Sequence, residues 1–147
     1  MTLAFMEDAL RAAQEAEQAG EVPVGAVIVH QGEILASAGN RVERDQDPSA
    51  HAEVLAIRAA TAKTGSKWLL DCDLYVTLEP CPMCAGAISL ARLRRVYYGA
   101  ADPKSGGVDH GPRVFAQSTC HHAPEVIAGV EESRCGELLR QFFAQRR

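Results

Sequence analysis

The stretch from Leu74 to Cys84, LYVTLEPCPMC, decides the fold, because a strand pattern in it runs directly into the start of a helix. Its first five residues are a mainly apolar run with β-branched and aromatic side chains, which predicts a buried strand. Pro80 and Pro82 suit a helix start, where a missing N–H costs little. Cys81 and Cys84 are three residues apart, so they share one face of that helix and can chelate one ion. The partial positive charge of a helix N-terminus favours the thiolates that such an ion needs.

Strand and helix patterns alternate along the chain on both sides of this stretch. The sequence predicts strands at 25–30, 33–38, 74–78, 95–99 and 126–130, and helices at 2–19, 50–62, 82–91 and 132–145. Asp47 or Ser49 is expected to cap the helix that begins near residue 50. This alternation predicts an α/β fold, a three-layer α/β/α sandwich with a mixed sheet of five strands and helices on both faces. With 147 residues, the chain is expected to form a single domain over residues 1–147.

Residues 102–124 are rich in Gly, Pro, Asp and His, and they are predicted to form a long loop with one helical turn at 114–117. A loop of about twenty residues is uncommon in a compact domain and usually has a function. The loop is therefore a candidate wall of a substrate site. The adjacent His121 and His122 are expected to pack within it or to contact substrate, with a second metal site as the alternative.

A second motif, His51-Ala52-Glu53, supplies the groups that Cys81 and Cys84 lack. One imidazole and two thiolates make three zinc ligands, and an open fourth position is the arrangement of a catalytic rather than a structural zinc. Zinc lowers the pKa of bound water toward about 7, and Glu53 is the expected general acid and base for the reaction. Glu79 also lies near the cysteines, but Glu53 is preferred because it follows the histidine ligand by only two residues.

Two other uses of the cysteines remain open. A structural zinc site needs a fourth strong ligand, for which the candidates are His110, Cys120, His121 and His122. A redox dithiol needs only the Cys-x-x-Cys pair, without a matched His-x-Glu motif upstream. The cysteines outside the motif are expected to be ordinary buried or half-buried thiols.

The composition limits the partners and the compartment. The formal net charge is −4, from 15 Lys and Arg against 19 Asp and Glu, whereas proteins that bind nucleic acid mainly through phosphates are usually basic. A protein that reads one loop needs only a few phosphate contacts, to which Lys104 would contribute. Five cysteines, an odd number, and the lack of a secretion signal fit the reducing cytoplasm better than a disulfide framework. The sequence predicts no membrane span.

The sequence resembles the cytidine deaminase-like zinc enzymes, and among them the tRNA adenosine deaminases of bacteria. His-x-Glu followed by Pro-Cys-x-x-Cys is the signature of zinc-dependent nucleobase deaminases. The resemblance covers nearly the whole chain, and it rests on the segments 21–29, 39–41, 47–53, 74–88, 98–106 and 137–143.

This resemblance implies a five-stranded sandwich, one zinc ion per subunit and the hydrolysis of adenosine to inosine at the wobble position of tRNA anticodons, position 34. It also implies a homodimer that grips the anticodon loop. Asn40 matches a residue that contacts the base, and a side-chain amide offers both a donor and an acceptor to a purine edge. Asp102 and Lys104 match a segment that contacts the flipped-out nucleotides, and Val24 and Leu78 would line the base pocket.

Two other functions compete with this one. A deaminase of a free nucleobase or nucleoside, such as guanine, cytosine or cytidine, would use the same zinc ligands and Glu53. It would not need contacts from Asn40, Asp102 and Lys104 to neighbouring nucleotides. A zinc-stabilised RNA-binding module without catalysis would have no use for a non-ligating acid beside an open coordination position.

Overall fold

The computed structural model describes residues 4–146, in which strands and helices alternate as predicted. In chain order the elements are α1 (Ala4–Gln18), β1 (Gly25–His30), β2 (Glu33–Gly39), α2 (Val42–Asp45), α3 (Ala52–Thr64), β3 (Cys72–Leu78), α4 (Pro82–Ala91), β4 (Arg95–Ala100), β5 (Glu125–Ile127) and α5 (Glu132–Ala144). A 3-10 turn at Val114–Ala116 lies between β4 and β5. The predicted first helix also included Thr2 and Leu3, which lie outside the described residues.

The five strands form one mixed sheet in the order β2-β1-β3-β4-β5. β1 pairs antiparallel with both β2 and β3, while β3, β4 and β5 run parallel. A parallel pair needs a crossover connection, and α4 provides it between β3 and β4. The start of α4 therefore lies at the carboxyl end of β3, the edge at which sheets of this kind bind ligands.

Both faces of the sheet are covered, which confirms the predicted three-layer sandwich. In β1, Ala26 and Ile28 belong to the core beneath α3 and α4, whereas Val27 and Val29 belong to the core beneath α1 and α5. The central strands β1 and β3 are almost entirely buried. Burial on both faces explains why their sequences read as continuous rather than alternating apolar runs.

Small side chains let α3 lie close to the sheet. Ala52, Ala56 and Ala60 are fully buried and recur every four residues along one face of the helix. This close packing fixes the start of α3, where His51 and Glu53 lie. Over residues 4–146, no helix combines the length and the apolar character needed to cross a membrane.

Three local predictions differ from the structure. The segment 40–48, predicted as a loop, contains the short helix α2. The N-cap residue of α3 is His51 and not Asp47 or Ser49, because Asp47 instead accepts hydrogen bonds from the backbone and hydroxyl of Ser49. β5 ends at Ile127 rather than near residue 130, since Gly129 adopts a φ of 75° and turns the chain away.

Candidate active site

Two helix starts bring the three predicted metal ligands together. His51 is the N-cap residue of α3, with φ −79° and ψ 149°, and Cys81 is the N-cap residue of α4. Cys84 lies in the first turn of α4 and is fully buried. Pro82 occupies the first helical position, as its fixed φ and missing N–H favour.

The spacing of these three side chains fits a tetrahedral zinc ion. The Nδ1 atom of His51 lies 3.6 Å from the Sγ of Cys81 and 3.4 Å from the Sγ of Cys84. Zinc–sulfur bonds of about 2.3 Å and zinc–nitrogen bonds of about 2.0 Å at a tetrahedral angle require a nitrogen–sulfur separation of about 3.5 Å. All three donor atoms lie within 4.8 Å of one another, and no other such group of three occurs within residues 4–146. The donor set therefore suits zinc.

The side chains considered as a fourth ligand do not join this group, and they are His110, Cys120, His121 and His122. The Nδ1 atom of His110 lies 2.7 Å from a carboxylate oxygen of Glu79. The Nε2 atom of His122 lies 2.7 Å from the backbone carbonyl of Leu93, so this ring packs the loop rather than binding a second metal. The three-ligand set thus leaves one coordination position for water or substrate.

The three candidate ligands differ in how readily they give up the proton that a metal must displace. In the metal-free protein, the thiol of Cys84 and the ring of His51 donate to Cys81 and lower the pKa of Cys81 to about 4. The Cys81 thiolate in turn raises the pKa of His51. The same thiolate and burial raise the pKa of Cys84, so this thiol holds its proton more tightly than an ordinary one. Metal binding is therefore expected to release a proton.

Glu53 lies in the first turn of α3, beside the ligand group. It is buried, and it lines the same cavity as His51 and Cys81. Burial raises the pKa of Glu53 to about 7. A carboxyl group that titrates near neutral pH can both accept and return a proton, which suits a general acid and base.

The cavity above these groups has a volume of about 530 Å³. Of the five residues predicted to contact substrate, four line it, and they are Val24, Asn40, Leu78 and Asp102. Lys104 is exposed and is not among the lining residues. The apolar Val24 and Leu78 offer surface to a flat base, while Asn40 and Asp102 offer polar groups.

Asn40 has a structural task that its sequence position did not indicate. Its Oδ1 atom accepts the backbone N–H of Ala52 at 2.8 Å, so it caps α3 from a distant segment. The side-chain oxygen of Asn40 is therefore already bonded, and its NH2 group is the part that can donate to a substrate. The same bond fixes the wall residue Asn40 relative to His51 and Glu53.

The C-terminal helix also reaches the cavity, which the sequence did not predict. Phe142 and Arg146 line it, and the guanidinium of Arg146 lies 3.6 Å from the centre of the Phe142 ring. An aromatic face with a nearby cation suits single-stranded nucleic acid, which stacks its bases and carries phosphates. Only the packing of α5 on the sheet brings these two residues to the cavity.

Comparison with known proteins identifies the family to which the chain belongs. Residues 2–100 match the sequence family described as the cytidine and deoxycytidylate deaminase zinc-binding region. A protein of Agrobacterium fabrum named tRNA-specific adenosine deaminase is 54% identical over 143 residues, which cover 97% of this chain and 94% of that protein. A Bacillus subtilis protein of the same name is 46% identical, over 97% of this chain and 89% of its own length.

A solved structure shares the fold over most of its length. It comes from studies of A-to-I editing by tRNA:A34 deaminases at the wobble position of transfer RNA, and it superposes with a TM-score of 0.91 at 54% identity. The match covers 92% of this chain and 99% of that one. The similarity therefore extends far beyond the metal motif, over most of the chain.

Proposed function

Because the chain belongs to the cytidine and deoxycytidylate deaminase family, we propose that it hydrolyses adenosine to inosine at position 34, the wobble position of tRNA anticodons. One observation carries this function. A three-ligand zinc site and a buried acid, Glu53, face the same cavity in a chain that is 54% identical to a tRNA-specific adenosine deaminase. The overall reaction consumes one water and releases one ammonia.

The residues of the site have separate tasks. His51, Cys81 and Cys84 would hold one zinc ion per subunit. Bound zinc supplies Lewis acidity, which makes water acidic enough to act as a nucleophile near neutral pH. Glu53 accepts a proton of the attacking water and delivers it to the ring nitrogen. It then accepts the proton of the hydroxyl group newly bonded to the ring carbon and delivers it to the amino group, which leaves as ammonia.

The walls of the cavity are proposed to accept a nucleotide whose base is no longer stacked on its neighbours. The amino group of adenine is hidden in a duplex, so the base must be splayed out before Glu53 can act on it. Val24 and Leu78 are proposed to hold the two faces of the base, and the NH2 group of Asn40 to contact its edge. Asp102 and Lys104 are proposed to contact the nucleotides next to it.

The protein is further proposed to work as a homodimer in the cytoplasm. Trp68 and Leu90 border one surface pocket and are 40% and 81% exposed, and a contiguous exposed apolar patch is typical of a subunit interface. All five cysteines are free thiols, as the cytoplasm favours. Light scattering of the purified protein tests the dimer, and a monomeric mass at micromolar concentration would contradict it.

The substrate is tested with matched candidates. Zinc-loaded protein is incubated with an anticodon stem-loop RNA that has adenosine at position 34, and in parallel with free adenosine, cytosine, cytidine and guanine. We expect inosine in the stem-loop and no turnover of the free compounds. Turnover of a free base beside an untouched stem-loop would keep the zinc chemistry and replace the tRNA substrate by a small molecule.

A further inference from the structure

Glu79 is a buried carboxylate that the proposed chemistry does not use, yet five polar contacts converge on its oxygens. Its Oε1 atom accepts the backbone N–H of Asp102 at 3.0 Å. Its Oε2 atom accepts the backbone N–H groups of Val108, Asp109 and His110 at 3.2, 2.9 and 3.1 Å. The ring of His110 adds a fifth contact, with Nδ1 2.7 Å from Oε1. One side chain thus gathers both ends of the segment 102–110, here called the wall loop.

The wall loop is fitted against the start of α4 without spare room. The backbone N–H of Gly107 donates to the carbonyl of Pro80 at 2.8 Å. A Cβ atom on Gly106 would lie 2.5 Å from the carboxylate of Glu79, and one on Gly107 would lie 2.6 Å from the nitrogen of Pro82. Only glycine permits this approach, so the two residues and Glu79 form one fitted unit with the helix that begins at Cys81.

A second bond anchors the far end of the wall loop to the sheet. The hydroxyl of Tyr98, in β4, donates to the carboxylate of Asp109 at 2.5 Å. Burial raises the pKa of Tyr98, and the Asp109 acceptor raises it further, so the phenol stays protonated and keeps donating. The wall loop is therefore held from the strand on one side and from Glu79 on the other.

This placement matters because the wall loop faces the substrate cavity. Asp102 and Ser105 line the cavity together with His51 and Cys81. Glu79 precedes Cys81 by two residues, so a single short segment carries both a metal ligand and the anchor of the opposite wall. Any movement of the carboxylate shifts Asp102 relative to the metal ligands.

We propose that Glu79 is a positioning residue that holds the wall loop at a fixed distance from the metal ligands and thereby sets the affinity for the nucleotide substrate. The proposal rests on the deaminase function argued above and adds a residue that does not touch the reacting atoms. A role in proton transfer is disfavoured by the same contacts. Burial alone would raise the pKa of Glu79, but the N–H donors of the wall loop outweigh it and hold the pKa below its usual range.

Glutamine cannot replace Glu79 conservatively. The side chain would keep its shape but exchange one oxygen for an NH2 group, in a site where four backbone N–H groups already point inward. One or more of those donors would lose its acceptor, which is costly in a buried site. The wall loop is then expected to leave its position for most of the time, while the backbone of α4 still places Cys81 and Cys84.

The test compares substrate affinity with turnover in the zinc-loaded full chain. For Glu79→Gln, we expect the KM for the A34 stem-loop to rise about 10- to 100-fold, as when only about 1–10% of molecules hold the competent loop. The kcat at saturating RNA and the zinc content should stay close to those of the unchanged protein. Glu125→Gln removes the same charge from an exposed carboxylate on β5 and should alter neither constant.

Hydrogen exchange measured by mass spectrometry reports the loop without any substrate. In Glu79→Gln, the amides of residues 102–110 should exchange faster, while those of β1 and β3 stay protected. Gly106→Ala is the second variant, because it keeps the carboxylate but forces it and the loop apart. It should reproduce both the rise in KM and the faster exchange.

Three results would overturn the proposal. An unchanged KM despite faster exchange would show that the position of the wall loop does not determine the affinity for the RNA. A fall in kcat and zinc content at constant KM would make Glu79 a support of the metal site. Unaltered exchange in both variants would remove the anchoring role itself. If the unchanged protein fails to deaminate the stem-loop, the proposed function is wrong, while the exchange comparison still decides whether Glu79 holds the loop.

Discussion

The edge of the sheet where the candidate metal ligands lie and the walls of the cavity are held in place by different kinds of structure. The edge uses regular structure, since His51 begins α3 and Cys81 begins α4. The walls include the wall loop and the short helix α2, whose Val42 and Glu43 line the cavity, and a buried carboxylate holds each of them in place. Glu79 binds the wall loop, and Glu21 accepts the backbone N–H groups of Glu43 and Arg44 in α2.

The difference separates the chemistry of the reaction from the choice of substrate. Within a helix, backbone hydrogen bonds fix the metal ligands and Glu53 relative to their neighbours. The walls depend on side-chain bonds between distant parts of the chain, such as the bond between Glu79 and His110, which are 31 positions apart in the sequence. Changes at the edge should therefore abolish turnover, whereas changes at the walls should weaken substrate binding and leave the metal in place.

Loss of a metal ligand should have the largest effect and would show that the edge is indispensable. Cys81→Ala leaves two protein ligands where catalytic zinc needs three, so zinc should be lost on dialysis and deamination should fall to the level without enzyme. Zinc content and inosine formation measure this. Cys120→Ala removes a free thiol outside the ligand group and should retain both. Full activity of Cys81→Ala without zinc would contradict the metal's role.

Removal of the proton carrier should have the next largest effect. Glu53→Gln keeps the size of the side chain but cannot accept a proton, so kcat should fall about 10²- to 10⁴-fold, the usual contribution of general acid and base catalysis. Zinc content and the affinity for the stem-loop should be retained. A kcat that does not change would assign proton transfer to another group.

A change in the other wall should have a smaller effect, confined to binding. Glu21→Gln leaves donors of α2 without an acceptor, so we expect the KM for the stem-loop to rise about 10-fold while zinc content holds. Steady-state kinetics measure it, with the exposed Glu15→Gln on α1 as the matched control. A loss of zinc in Glu21→Gln would contradict the claim that changes in the walls leave the metal in place.

The smallest expected effect is a pH dependence of stability. The folded-state pKa of Glu79 is lowered below its unfolded value of about 4.3. Its stabilisation is therefore fully present above about pH 4.3 and is lost as the pH falls through the folded value. The free energy of unfolding of the reduced, metal-free protein, measured in urea, should exceed that of Glu79→Gln most near neutral pH. A difference that widens on acidification would contradict this sign.

The sequence predicted the edge well because its information is local. The spacing of His51 and Glu53, and that of Cys81 and Cys84, each fall within one helical turn, so the residue types and the period of a helix suffice. The order of strand and helix patterns likewise predicted the mixed five-stranded sheet, because burial on both faces leaves apolar runs that are easily read.

The walls could not be predicted because their contacts join distant segments. The side chain of Asn40 accepts the first free N–H of α3 from 12 positions upstream, a partner that no local pattern indicates. Phe142 and Arg146 line the cavity only because α5 packs beside it. The sequence shows Glu79 only as a second acid near the cysteines, whereas the structure shows the bonds by which it holds the wall loop.

The most direct measurement is inosine formation at position 34 of an anticodon stem-loop, assayed by digestion to nucleosides and chromatography. Zinc-loaded unchanged protein and Glu53→Gln are compared at equal zinc content and equal RNA occupancy. We predict inosine with the unchanged protein and little or none with Glu53→Gln. Equal inosine from both, or none from the unchanged protein while a free base is consumed, would contradict wobble-position deamination through Glu53.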